Sequence, residues 1–379
     1  MLTFYIYATP PCIIFFALAW VLEGDLKRKF TAWFKNKYAL LFIVLYLIYL
    51  IGMLYTNNTD HGWMDMQIKL SIILFPIILS AEGEMDFNKQ KWFGVAFISG
   101  AVLNGIICMC YATWLYFSYG ILHFTYMEFS KFLHPSYYTM YIDMAFVFIY
   151  YALTVKKNEL TKTIRIFIYC CAIFLLIMVM LLQSKMGQIV TGLLLLQYFL
   201  LKKSPFKLVT AIIIVALLVT SFISGHPKQS RFIAIGNIMS GKKVDVQSVE
   251  SNQARVLVYK AAWEVIKNNP VIGSGTGDAK YALMKQYQKD GMTGAYREQL
   301  NTHNQYLQTT VAVGVPGILI LLSNLFIPML ITIKRKRFVY LMFLLILSIN
   351  FLTESMLEQQ AGTMFYGLFN SLLMFNFII

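Results

Sequence analysis

Apolar runs long enough to cross a bilayer recur along the whole chain, and no other feature limits its fold so strongly. A hydrocarbon core of ~30 Å takes about 20 apolar residues per helix. Inside it the backbone must satisfy its own hydrogen bonds, which leaves helices or a closed barrel. Such runs lie near 4–22, 38–54, 67–81, 92–117, 136–153, 164–182, 187–201, 207–224, 306–332, 338–353 and 362–379. They are continuous rather than alternating, which predicts an all-α polytopic integral membrane protein of eleven spans. The third run is short and holds Pro76, so it is expected to be tilted, broken or partly re-entrant. With 58% hydrophobic and 13% charged residues, a soluble globular domain is excluded. The apolar opening reads as the first span rather than a cleavable signal. All five cysteines (Cys12, Cys108, Cys110, Cys170 and Cys171) fall inside apolar stretches, so neither a disulfide framework nor a metal site is indicated.

The net charge of +14 is spread over loops, which argues against a nucleic-acid partner. Eighteen bases mark one side of the membrane: Lys27, Arg28, Lys29, Lys35, Lys37, Lys89, Lys91, Lys156, Lys157, Lys162, Arg165, Lys202, Lys203, Lys207 and Lys334 to Arg337. The opposing short connections hold Lys69, Lys131 and Lys185. The basic side is expected in the cytoplasm, which puts the large 225–305 loop in the periplasm, the N-terminus outside and the C-terminus inside.

That loop has structure of its own. Gln253 to Asn268 reads as an amphipathic helix with Val256, Val258, Tyr259, Ala262, Trp263 and Ile266 on its apolar stripe. Asn269-Pro270 ends it, Gly273-Ser274-Gly275-Thr276-Gly277 forms a turn, and a second helix is expected near Asp278–Lys289. A glycine-rich turn before a helix can cradle phosphate, but this one lacks a dinucleotide or P-loop context, so a plain turn is expected. The loop should cap the helices rather than fold as a separate domain.

Where the loop re-enters the membrane stands Asn301-Thr302-His303-Asn304-Gln305-Tyr306, followed by Gly314-Val315-Pro316-Gly317. By itself this reads as an interfacial helix cap with two glycines that allow close packing. Its spacing of His-Asn, nine residues, Gly, two residues, Gly resembles the signature of the O-antigen ligase and polymerase superfamily of bacterial envelope glycosyltransferases. The resemblance is strongest from about 180 to 365. Members usually carry twelve spans with both ends in the cytoplasm, which implies either a further first helix beside the eleven runs found here or a miscounted run near 67–81.

The resemblance implies a metal-independent, inverting transfer of a glycan from undecaprenyl pyrophosphate, without a cofactor, at a periplasmic site in the bacterial inner membrane. The acceptor is a glycan or lipid A–core hydroxyl. Such a displacement needs a base for the hydroxyl proton and fixed positive charge for the departing pyrophosphate. His303 occupies the family's catalytic position. Arg255, at the start of the amphipathic helix, matches an arginine some fifty residues before the histidine. Lys185, in Gln183-Ser184-Lys185-Met186-Gly187, stands where the family usually has Ser-Arg-Gly, and it keeps the charge without the bidentate fork. Glu354 is the nearest counterpart of an acid in the last periplasmic segment, where it could orient His303, and it would share a helical face with Glu358 if the helix persists. Asn304, Asn301 and Arg297 are candidate substrate contacts. His134-Pro135-Ser136-Tyr137 opens a span and has a sufficient structural reason in Pro135. Ligation to lipid A–core, in lipopolysaccharide or surface polysaccharide synthesis, is the expected reaction. The alternatives are repeat-unit polymerisation, or a transporter or flippase for a lipid-linked sugar, although no half-to-half symmetry supports the latter.

Overall fold

The computed structural model describes residues 9–154, 160–201 and 252–377. The expected span at 207–224, the loop before residue 252, and the bases Lys156, Lys157, Lys202, Lys203 and Lys207 lie outside those residues. Helices carry the described chain: α1 (Thr9–Leu22), α2 (Leu26–Lys35), α3 (Lys37–Gly52), α4 (Thr59–Lys69), α5 (Ser71–Ala81), α6 (Phe87–Tyr119) and α7 (Pro135–Thr154). They continue as α8 (Lys162–Leu182), α9 (Lys185–Leu201), α10 (Asn252–Asn268), α11 (Ala279–Lys289), α12 (Gln305–Arg335), α13 (Phe338–Asn350) and α14 (Gln360–Phe375). Five helical stretches among the described residues are long and apolar enough to cross a membrane, or six if the bent pair α1–α2 counts as one. The chain is an all-α polytopic membrane protein.

Two departures from the hydropathy reading have clear causes. The run at 67–81 belongs to a longer stretch, Thr59–Ala81, in which α4 and α5 join almost directly at Leu70. Its first half escapes a hydropathy window because it holds Asp60, His61, Asp65 and Lys69, yet Asp65 and Lys69 are buried and pair with each other. The basic segment after α1 is itself helical: α2 turns by 110° from α1 and packs on α5, with Lys29 buried beneath Trp20 and donating to its carbonyl at 2.6 Å.

Aromatic packing and satisfied polar groups hold the bundle. Phe97, Phe148 and Phe369 meet edge-on or tilted at centroid distances of 5.0–6.3 Å between α6, α7 and α14. Within the bundle, Thr191 Oγ1 lies 2.6 Å from Asp143 Oδ1, and the Tyr141 hydroxyl donates to the Ala361 carbonyl at 2.8 Å. Helix α14 crosses α5 closely, and a Cβ at Gly367 would lie 2.5 Å from the Ser71 carbonyl oxygen. Small residues let backbones approach in this way.

The loop helices α10 and α11 pack on the membrane helices, as a cap does. On α10, Val258, Ala262 and Ile266 are buried as the periodicity predicts, together with Ala254, Ala261 and Val265. Trp263 is exposed instead, because the stripe is rotated toward the small residues that let α10 lie close to α12.

The glycine turn explains Gly314. Helix α12 breaks at Val313 and at Gly314, whose φ of 68° and ψ of −160° fall in a region essentially restricted to glycine. The break frees the carbonyls of Val311 and Ala312, which accept the N–H groups of Ser274 and Gly275 at 2.8 and 2.9 Å. Val315 N–H donates to the Pro270 carbonyl at 2.9 Å, and Pro316 then starts the second half, where no N–H is required. The 273–277 N–H groups are therefore committed to protein: Thr276 donates to Gly52 at 3.4 Å and Gly277 to Thr56 Oγ1 at 3.2 Å. The turn is a structural strap, not a phosphate cradle. A Cβ at Gly314 would lie 2.2 Å from the Val271 carbonyl oxygen. Gly314→Ala is therefore expected to cost at least about 2 kcal/mol, combining left-handed strain with a backbone clash. Thermal unfolding in detergent and protease protection of residues 270–277 measure it, and wild-type behaviour in both would contradict this account.

Candidate active site

His303 is held in a turn that its neighbours build. Its φ is 47°, a conformation in which a residue with a side chain is strained. Three neighbours impose it. His303 N–H donates to Asn301 Oδ1 at 2.9 Å, and the Tyr259 hydroxyl of α10 donates to the His303 carbonyl at 3.3 Å. Asn304 then caps α12, its side-chain oxygen accepting from Leu307 N–H at 3.0 Å while its amide nitrogen donates to the Leu352 carbonyl at 3.2 Å. The side chains of Asn301 and Asn304 thus hydrogen-bond within the turn that presents His303.

Facing the histidine is an arch between α13 and α14. The Phe351 carbonyl accepts from Gln305 N–H at 2.8 Å, Ser355 Oγ accepts from Asn304 N–H at 3.2 Å, and Leu357 N–H donates to Gln305 Oε1 at 2.6 Å. These bonds bind the arch to the first turn of α12. Glu354 projects from it toward the site. Its Oε2 lies 3.7 Å from His303 Nδ1 and its Oε1 lies 3.7 Å from Arg255 Nη2, while Ser136 Oγ donates to Oε1 at 3.1 Å. Arg255 Nη1 also reaches the Thr353 carbonyl at 3.5 Å. Three segments far apart in sequence therefore converge on one carboxylate.

The electrostatics follow from this geometry. Burial alone would raise the Glu354 carboxyl; the His303 ring beside it and the charge of Arg255 outweigh that and hold the group below the ordinary carboxylate range. At 3.7 Å the Glu354–His303 approach is longer than a hydrogen bond, and His303 Nδ1 is buried with no hydrogen-bond partner among the described residues. A ring that carries its single proton on Nδ1, toward the carboxylate, would keep the Nε2 lone pair for a reacting group. This is the carboxylate–imidazole order of an acid–base pair.

The remaining candidates fall at different distances from this centre. Lys185 begins α9 after a left-handed Gln183. A Cβ at Gly187 would lie 2.1 Å from Thr139 of α7, so the first turn of α9 lies directly against the turn that follows Ser136. Lys185 therefore stands at the same end of the bundle as Glu354. Arg297 is exposed and pairs with its neighbour Glu298 at 3.0 Å, and no described contact joins it to His303, Arg255 or Glu354. Glu358, expected on the same face as Glu354, points the opposite way, toward Lys69. The sequence reading gave His134 and Ser136 only a structural reason. Ser136 in fact touches Glu354, and its N–H donates to His134 Nδ1 at 3.3 Å. Desolvation lowers the proton affinity of His134, Glu354 opposes that, and His303 and Arg255 reinforce it. The available signal was a polar His-Pro-Ser at the mouth of a span.

No curated protein matches the chain. Residues 170–322 match a family model described as O-antigen ligase. That segment includes Lys185, Arg255, His303, Gly314 and Gly317, and it stops short of Glu354. Over residues 170–322 the chain is similar to the O-antigen ligase family, which supports the resemblance carried by the spacing around His303.

Proposed function

We propose that the protein is an inverting glycosyltransferase that moves a glycan from undecaprenyl pyrophosphate to an acceptor sugar hydroxyl, with lipid A–core as its first acceptor. The observation that carries this reading is Glu354 standing between His303 and Arg255, 3.7 Å from each. His303 Nε2 takes the proton of the acceptor hydroxyl as that oxygen attacks the anomeric carbon. The bond from that carbon to the pyrophosphate oxygen breaks on the opposite face, which inverts the centre. Pyrophosphate leaves with the bonding pair, and Arg255 with Lys185 stabilises its charge. Glu354 keeps the ring in the right tautomer and steadies the imidazolium that forms. The test is reconstitution of the purified protein with a labelled lipid-linked glycan and lipid A–core. Label joined to the acceptor supports the reading, and glycan joined to glycan would favour the polymerase. Label moved across liposomes without being joined to anything would replace it with a transporter.

The site is proposed to face the periplasm, since the basic short loops gather at the other end of the helices. Asn268 and Lys336 are exposed and lie on opposite faces in this scheme. In a cysteine-free background, Asn268→Cys should label with an impermeant thiol reagent in intact spheroplasts, and Lys336→Cys only after lysis. The reverse pattern would invert the orientation.

A further inference from the structure

One charged cluster takes no part in the chemistry above. Lys69, fully buried on α4, lies within 2.5 Å of Asp65 Oδ1 and 3.1 Å of Glu358 Oε1. Its Nζ also stands 4.7 Å from the ring centre of Tyr49. A buried cation in a membrane-spanning stretch is costly and calls for a reason.

The wiring around Lys69 supplies one. The Tyr49 hydroxyl is 2.9 Å from Thr309 Oγ1, which accepts from Gln305 Nε2 at 3.0 Å, and Gln305 Oε1 accepts the N–H of Leu357 at 2.6 Å. Leu357 adjoins Glu358, which returns to Lys69. The contacts close a ring joining α3, α4, the start of α12 two residues after His303, and the far foot of the arch that carries Glu354. Thr363 Oγ1 adds a bond across to the Ile68 carbonyl at 2.8 Å. Lys69 supplies the ion pair that ties this foot of the arch to α4.

We propose that the Asp65–Lys69–Glu358 cluster is a positioning device for Glu354, with Lys69 clamping the arch so that Glu354 meets His303 and Arg255. Two carboxylates against one ammonium leave the cluster net negative when fully ionised. Burial pushes the Glu358 carboxyl up to about 7, Asp65 adding to the rise and Lys69 opposing it. The clamp thus depends on the lysine as the one cation of the ring.

This inference rests on the proposed transferase reading, so its test has one arm that needs no activity. In that arm, hydrogen exchange is compared between wild type and Lys69→Met. The amides of residues 353–358 should lose protection in the variant, while those of α13 and α14 keep theirs. In the second arm, Lys69→Met is combined with Glu354→Gln in a double-mutant cycle. A misplacement of about 1 Å costs on the order of 10² in rate. Lys69→Met should therefore lower kcat about that much with donor affinity unchanged, and should add little in the Glu354→Gln background. Should Lys69→Met fail to fold, Glu358→Gln, which breaks the ion pair and removes a buried charge, carries both arms. Unchanged exchange in residues 353–358, or losses that multiply fully in the double variant, would overturn the clamp. Absence of transfer in wild type would strike the functional reading alone, with the exchange arm still deciding on the clamp.

Discussion

His303→Ala is expected to abolish glycan transfer while the lipid-linked donor still binds. Removing a positioned base costs about 10² to 10⁴ in rate. In the proposed mechanism Arg255 and Lys185 hold the donor's charge and the substitution leaves both in place, so the loss should fall on kcat. His303→Gln should be nearly as damaging, since an amide forms hydrogen bonds but cannot accept and hold the hydroxyl proton. The turn complicates only the folding readout: position 303 has a φ of 47°, and Asn301, Tyr259 and Asn304 impose it through contacts of which two involve backbone atoms of the residue itself. Either substitution should therefore fold. Undiminished turnover in a folded His303→Ala protein would remove the base assignment.

The second large effect belongs to the arginine. Arg255→Ala should lower transfer by about 10² to 10³, the loss typical of one preorganised contact to developing charge. Arg255→Lys should fall between, because lysine keeps the charge and loses the fork that matches two phosphate oxygens. Arg255 is only about a third exposed and lies 3.7 Å from Glu354, so its removal also leaves that carboxylate one cation short. For that reason the comparison needs Lys185→Ala and Lys185→Arg beside it, since the first removes the charge at the α9 start and the second keeps it while adding the fork. Lys185→Arg should be tolerated and Lys185→Ala should not. If Arg255→Ala and Lys185→Ala both keep near-normal turnover, the pyrophosphate assignment fails.

Hydropathy made the helical membrane fold legible because a bilayer demands long apolar runs wherever the chain crosses it. His303 was legible through the spacing around it, and Arg255 through its place at a helix start. What escaped depended on partners distant in sequence. Gly314 looked like a packing glycine, but it needs its unusual backbone because residues 270–275 bond into the break it makes. Glu354 and Glu358 looked like one helical face, yet the chain leaves α13 at Asn350 and turns through a 3₁₀ segment at Met356–Glu358. One carboxylate therefore faces His303 and the other Lys69. Lys69 counted only as a loop charge, since nothing nearby in sequence announces Glu358 across 289 positions. On α10 the apolar stripe was legible to within a rotation, which close packing by alanine decided.

The most direct test of the central claim is the pH dependence of transfer by the purified protein in EDTA, between pH 5 and 8. Glu354 is held below the ordinary carboxylate range, so it stays ionised throughout that window and contributes no limb of its own. His303 acts as a base only while neutral, so the rate should fall as pH drops, and the same acid limb should persist in His134→Gln and in Glu358→Gln, which removes the carboxyl that burial pushes up to about 7. Loss of the limb in either variant, a flat profile, or a rate that appears only with a divalent ion would contradict the assignment of His303 as the base.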